Sequence, residues 1–200
     1  DPAIPVEVVI HADQSAYVSA DRNPEGTPLG ANSVGRAATG GVTYRTLDED
    51  GKSLLRVETF TGQSTLFETV IPHEMVHVAQ HFGFKAFRRA HWLDEGMAML
   101  RESKGGRAQR RAWLKRSSEV FSLEELTSLR STPPNRAFLF YNQSYAFTDY
   151  LRNLGSDRDW RSFLDRMATQ PVEQAIRESF GIESLGELER GFLAATGLRR

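Results

Sequence analysis

His73-Glu74-Met75-Val76-His77 is the stretch of this sequence best equipped for chemistry. Residues four apart on an α-helix stand one above the other on the same face, so the two imidazoles can converge on one ion. Imidazole is a ligand suited to zinc, and a catalytic zinc takes three protein ligands and leaves one position for water. Glu74 follows the first histidine by one position, about 100° further around the helix. That offset aims its carboxylate at the water rather than at the metal. There it can take a proton and later deliver it to a leaving amine.

A third ligand is available downstream. In Trp92-Leu93-Asp94-Glu95-Gly96-Met97-Ala98, Glu95 lies eighteen positions after His77. A helix, a turn and a returning helix fit that interval, so Glu95 can face the imidazoles. Asp94 reads as the N-cap of the second helix. Two other histidines are weaker candidates. A metzincin needs Gly three positions past the second ligand, where this chain has Gln80, and no His stands at position 83. His81 and His91 therefore read as polar surface or cleft wall. The rival to catalysis is a non-catalytic, metal-stabilised peptide-binding module. It would keep His73, His77 and Glu95 but has no need of the Glu74 carboxylate.

The elements that must position these residues fall into two parts. The first 63 residues are strand-rich. Pro5 to His11 is a run of β-branched residues, a buried strand. Residues 21–41, rich in Gly, Pro and Asn, read as a long surface loop. Gly41 to Thr46 and Leu54 to Phe60 form a hairpin around Asp48-Glu49-Asp50-Gly51. From residue 64 the period becomes helical. Thr65 and Glu68 have the spacing of a capping box. Met75, Ala79 and Phe82 then mark the apolar face. Pro72 should kink the helix just before His73, and Gly83 should end it. The next helix runs from about Asp94 to Gly105-Gly106. Further helices follow at about 107–117, 122–130, 137–154, 157–168, 171–180 and 184–196. Strands first and helices after is an α+β order.

Bulk composition excludes several classes. The chain has 200 residues, enough for one moderately large domain spanning 1–200. Its 25 basic and 26 acidic side chains leave a net charge of −1, which gives no drive toward nucleic acid. Residues 104–116 hold Lys104, Arg107, Arg110, Arg111, Lys115 and Arg116, but Trp113 and Leu114 anchor one side, so a solvated amphipathic helix is the reading. No apolar run is long enough for a transmembrane segment. Cysteine is absent, which excludes thiolate ligands, a cysteine nucleophile and disulfides. The chain opens Asp1-Pro2-Ala3 without an initiating Met. The expectation is a trimmed mature form or an excised domain, of an extracytoplasmic or secreted protein.

Together, His73-Glu74-Met75-Val76-His77 and Trp92-Leu93-Asp94-Glu95-Gly96-Met97-Ala98 resemble the gluzincin metallopeptidases, and more closely the small peptidase MA-like domains of bacteria. The resemblance continues at Tyr141-Asn142-Gln143-Ser144-Tyr145-Ala146. It extends into the tail, at Ala175 to Gly181 with Leu188 and Phe192. It implies a zincin-like α+β fold: a small N-terminal sheet lobe, a central zinc helix and a helical C-terminal lobe. It also implies Zn2+ on His73, His77 and Glu95, Glu74 as general base, and a peptide or protein substrate. Tyr141 and Tyr145 share a helix face, where aromatics are usually core. The resemblance to the aminopeptidase branch makes Tyr141 the donor to the oxyanion. The Gly-Ala-Met-Glu-Asn type motif of that branch is absent. Met99 stands where thermolysin-like enzymes carry an acidic residue four positions past the third ligand.

Overall fold

The computed structural model describes residues 4–20, 40–47, 50–83 and 90–199. It is an α+β structure, mostly helical, with one three-stranded sheet among the described residues. The chain forms two compact units, Asp1–Val78 and Ala79–Arg200. The division falls inside a single helix, Ile71–Gly83.

In the first unit, β1 (Val6–His11), β2 (Gly41–Leu47) and β3 (Ser53–Phe60) form a mixed sheet in the order β1-β3-β2. β3 is central, parallel to β1 and antiparallel to β2. Because side chains alternate along a strand, the register places Val8, Val57 and Thr43 in one row on one face. Leu55 and Val57 on that face pack with Val78. The opposite face is mixed, with Leu54 buried on it and Glu58 buried between His11 Nε2, at 2.9 Å, and the Tyr44 hydroxyl.

The hairpin strands lie where expected, but β1, expected to be buried, exposes Val6, Val8 and Ile10. The loop expected over 21–41 falls, apart from Gly40 and Gly41, outside the described residues, as do Asp48 and Glu49 of the turn. Gly51, at φ 75°, takes the left-handed conformation that a turn there requires. One helix was not expected. α1 (Gln14–Ser19) is capped by Asp13, whose side chain accepts from the Ala16 N–H at 2.8 Å, and it buries Tyr17 beside Phe60.

A π-helical turn, Leu66–Val70, runs directly into α2 (Ile71–Gly83). Thr65 makes no side-chain cap, so the expected capping box is absent. The backbone N–H of Val70 reaches back to the Thr65 carbonyl instead. Pro72 has no N–H to give and its ring crowds the preceding turn. The wider π turn accommodates it, and α2 proceeds without a further break.

The apolar face of α2 is out of phase with expectation. Met75, Ala79 and Phe82 are exposed, while Glu74 and Val78 are buried. The helical period is right, but the buried stripe lies one residue earlier and includes a carboxylate.

The second unit is helical: α3 (His91–Met99), α4 (Lys104–Arg116), α5 (Leu123–Ser128), α6 (Ala137–Arg152), α7 (Asp157–Met167), α8 (Val172–Phe180) and α9 (Leu185–Thr196). α3 starts three residues before the expected position, so Asp94 sits in its first turn and is not its N-cap. Gly105 and Gly106 open α4 instead of closing α3, because the Ser103 hydroxyl caps the Gly106 N–H.

α6 is the central helix. Its core residues Phe140, Tyr145, Phe147 and Leu151 are fully enclosed. The buried Gln143 amide bonds both the N–H and the carbonyl of Phe121, at 2.8 and 2.7 Å, which fixes the segment before α5. Among the described residues no helix is long and apolar enough to cross a membrane.

Candidate metal centre

His73 and His77 sit on the first two turns of α2, half-buried, with ring centroids 5.0 Å apart. Their Nε2 atoms are 3.2 Å apart. Two nitrogens bonded at about 2.05 Å to one tetrahedral ion stand about 3.3 Å apart. The pair therefore has the spacing of two donors to a common ion. One ligand atom from each of His73, His77 and Glu95 lies within 4.8 Å of the others. Two imidazoles and one carboxylate are a donor set that fits zinc, with room for a fourth position.

Glu74, next to His73 on α2, is 5% exposed. Burying a carboxylate is costly unless its oxygens find donors. Thr43, on β2, supplies one: its Oγ1 donates to Glu74 Oε2 at 2.7 Å and also lies 3.2 Å from the Glu74 carbonyl. Two residues back on the same strand face, Gly41 makes room for the carboxylate. A Cβ there would meet Glu74 Cγ and Oε1 at 3.0 Å and Val70 Cγ1 at 2.9 Å. Thr43 and Gly41 thus hold the Glu74 carboxylate in place, and no local pattern of residues marks either role.

Glu95 is held by the packing of α3 on α6. Gly96 lets the two helices approach so closely that a Cβ there would collide with Thr148 Oγ1 and lie 2.7 Å from the Ser144 carbonyl. Trp92 packs at a tilt against Phe147, ring centroids 4.9 Å apart, and His91 stacks on Phe140 at 5.0 Å. At the end of α2, the Gln80 amide donates to the Asp94 carbonyl at 3.3 Å, tying the neighbour of Glu95 back to the histidine helix. Met99, one turn beyond Glu95, is a core residue.

Tyr141 and Tyr145 of α6 separate clearly. Tyr145 is fully buried, with its hydroxyl bonded by Arg111. Burial, and then the Asp149 carboxylate, push its phenol above the ordinary tyrosine range. Tyr141 is only half-buried, and its hydroxyl accepts from Thr132 Oγ1 at 3.4 Å. His81 packs edge-on against Phe82. His91 turns its Nε2 to Thr132 Oγ1 at 2.9 Å.

Three of the six basic side chains of α4 are engaged within the fold. Arg110 grips the buried Glu102 through two nitrogens, at 2.6 and 2.7 Å, Arg107 donates to the Leu100 carbonyl, and Arg111 reaches Tyr145.

Comparisons with family models, with curated proteins and with solved structures found no match to this chain.

Proposed function

We propose that this chain is a zinc-dependent peptidase of the gluzincin type, with a zincin-like fold and a peptide or protein substrate. His73, His77 and Glu95 are the metal ligands in this reading, Glu74 the general base, and Tyr141 the donor to the oxyanion. The observation that carries it is the buried Glu74 carboxylate, next in sequence to the first histidine and held by the Thr43 hydroxyl. A metal site that only stabilises a fold has no use for an ordered, buried carboxylate beside its ligands. A hydrolase does.

Zinc, when bound, supplies Lewis acidity toward a peptide carbonyl and acidifies water. Glu74 then takes the proton of the attacking water on a carboxylate oxygen and passes it to the departing amine nitrogen. Thr43 keeps that carboxylate in one rotamer through both transfers, so no reorientation is needed during the reaction. The half-buried Tyr141 offers its phenol O–H to the oxygen on which negative charge develops. Nucleic acid is not a partner in this reading, because three of the six cations of α4 are already committed to groups of the fold.

A mixed peptide library tests the proposal. Zinc-loaded protein should cleave it, a chelator should stop cleavage, and added zinc should restore it. Protein that carries zinc and cleaves no peptide would refute the assignment.

A further inference from the structure

His91, Thr132 and Tyr141 come from three separate segments: the first residue of α3, the stretch before the turn Pro134–Arg136, and α6. Their polar atoms form a chain. His91 Nε2 lies 2.9 Å from Thr132 Oγ1, which donates to the Tyr141 hydroxyl at 3.4 Å. A threonine hydroxyl has one proton. With Thr132 donating to Tyr141, a His91 that carries its proton on Nε2 donates to Thr132 Oγ1. The chain then has one direction, from imidazole to hydroxyl to phenol.

We infer that Thr132 and His91 are positioning residues that hold and polarise the Tyr141 hydroxyl as a hydrogen-bond donor to a substrate oxygen. This rests on the peptidase reading above and extends it to two residues outside the metal ligands. Three observations carry it. First, a hydroxyl that accepts a hydrogen bond becomes a better donor through its own proton, because successive bonds polarise one another. Second, Thr132 is held rigidly. Pro133 and Pro134 follow it and restrict its backbone. The Arg136 guanidinium at the end of the same turn lies 3.8 Å from the Phe121 ring centroid and bonds Glu125 at 2.7 Å. Third, His91 and Glu95 are four residues apart on α3, neighbours on one face, with Cβ atoms about 5–6 Å apart. The chain therefore starts one helical turn from the candidate third ligand. The stacking of His91 on Phe140, at an interplanar angle of 17°, fixes the ring from which it starts.

The test is a double-mutant cycle on peptide hydrolysis, with zinc content measured for every variant. Thr132→Val keeps the shape of the side chain and removes the hydroxyl. It should lower kcat about tenfold with KM and zinc content unchanged, the scale of one hydrogen bond made better in the transition state. Thr132→Ser should retain most of the rate. His91→Phe keeps the stack on Phe140, removes Nε2, and should lower kcat in the same way. In a Tyr141→Phe background neither change should cost anything more. Full, additive losses in that background would show that Thr132 and His91 act by another route and would overturn the inference. Loss of zinc or of fold in Thr132→Val, not rescued by Thr132→Ser, would make the role structural and overturn it too. An inactive wild type would instead remove the peptidase reading, and this inference with it.

Discussion

Thr43 Oγ1 donates to Glu74 Oε2 at 2.7 Å, from β2 to the one carboxylate buried on the histidine helix. The bond joins residues 31 apart in the chain. Thr43→Val keeps the side-chain shape and frees the carboxylate to change rotamer. It should lower kcat about tenfold with zinc content unchanged, and Thr43→Ser should restore most of the loss. Steady-state kinetics with metal analysis of the same samples checks both. An unchanged kcat in Thr43→Val would mean that the hydroxyl does not orient the base.

Gly96 tests how Glu95 is held. A Cβ there collides with Thr148 and the Ser144 backbone, and backbone cannot retreat as a flexible side chain can. Gly96→Ala should cost about 1–3 kcal/mol of stability, the usual scale of overpacking, read as a lower urea midpoint. It should also weaken zinc binding by shifting α3. Thr148→Ala in the same chain should recover part of the stability.

His77→Ala should abolish stoichiometric zinc binding while leaving the far-UV circular dichroism unchanged. Ligating imidazoles must be neutral, so zinc occupancy of the wild type should also fall as the medium is acidified through the ordinary imidazole range, near pH 6.5. Full occupancy at about pH 4 would exclude histidine ligation.

Asp159 gives a pH-dependent test of the helical unit. Its carboxyl is held below the ordinary aspartate range, first by the Ser156 hydroxyl and then by the Ser156 backbone N–H, the second of these being one half of a capping box. A depressed carboxylate stabilises the folded state above its unfolded-state pKa and ceases to do so as pH falls through its folded value. Asp159→Asn should therefore lower Tm at neutral pH, and the difference from wild type should vanish in strong acid. A difference that persists there would have another cause.

The helical half was legible because its boundaries are written locally. Ser122, Ser156 and Ser184 cap α5, α7 and α9, while Gly181 and Gly197 end α8 and α9 in the left-handed conformation. α1 escaped notice since six residues are too few to establish a period.

The phase of α2 was misread for a different reason. Amphipathic reasoning assigns the buried face to apolar residues, but here Glu74 occupies it and Met75 faces solvent. Local rules fail most often where function requires it.

The candidate site divides in the same way. His73, Glu74 and His77 were singled out by their helical spacing together with the downstream segment that carries Glu95, and His73, His77 and Glu95 do converge. Thr43, Thr132 and His91 act across chain separations of 31, 9 and 41 residues, and no pattern of neighbours encodes such contacts. The Tyr141–Tyr145 motif is mixed. Gln143, Ser144 and Tyr145 are buried structural residues, and only Tyr141 is half-exposed with a hydroxyl in a directed chain.

The most direct test of the central claim compares wild type with Glu74→Gln on a mixed peptide library, both loaded with zinc. The substitution preserves size and leaves His73, His77 and Glu95 in place, but an amide cannot take the proton of water. The account predicts about one zinc per chain in both proteins, cleavage by the wild type, and a rate about 10²–10⁴-fold lower in the variant. Equal cleavage by the two proteins, or peptide binding by both with no turnover, would contradict it.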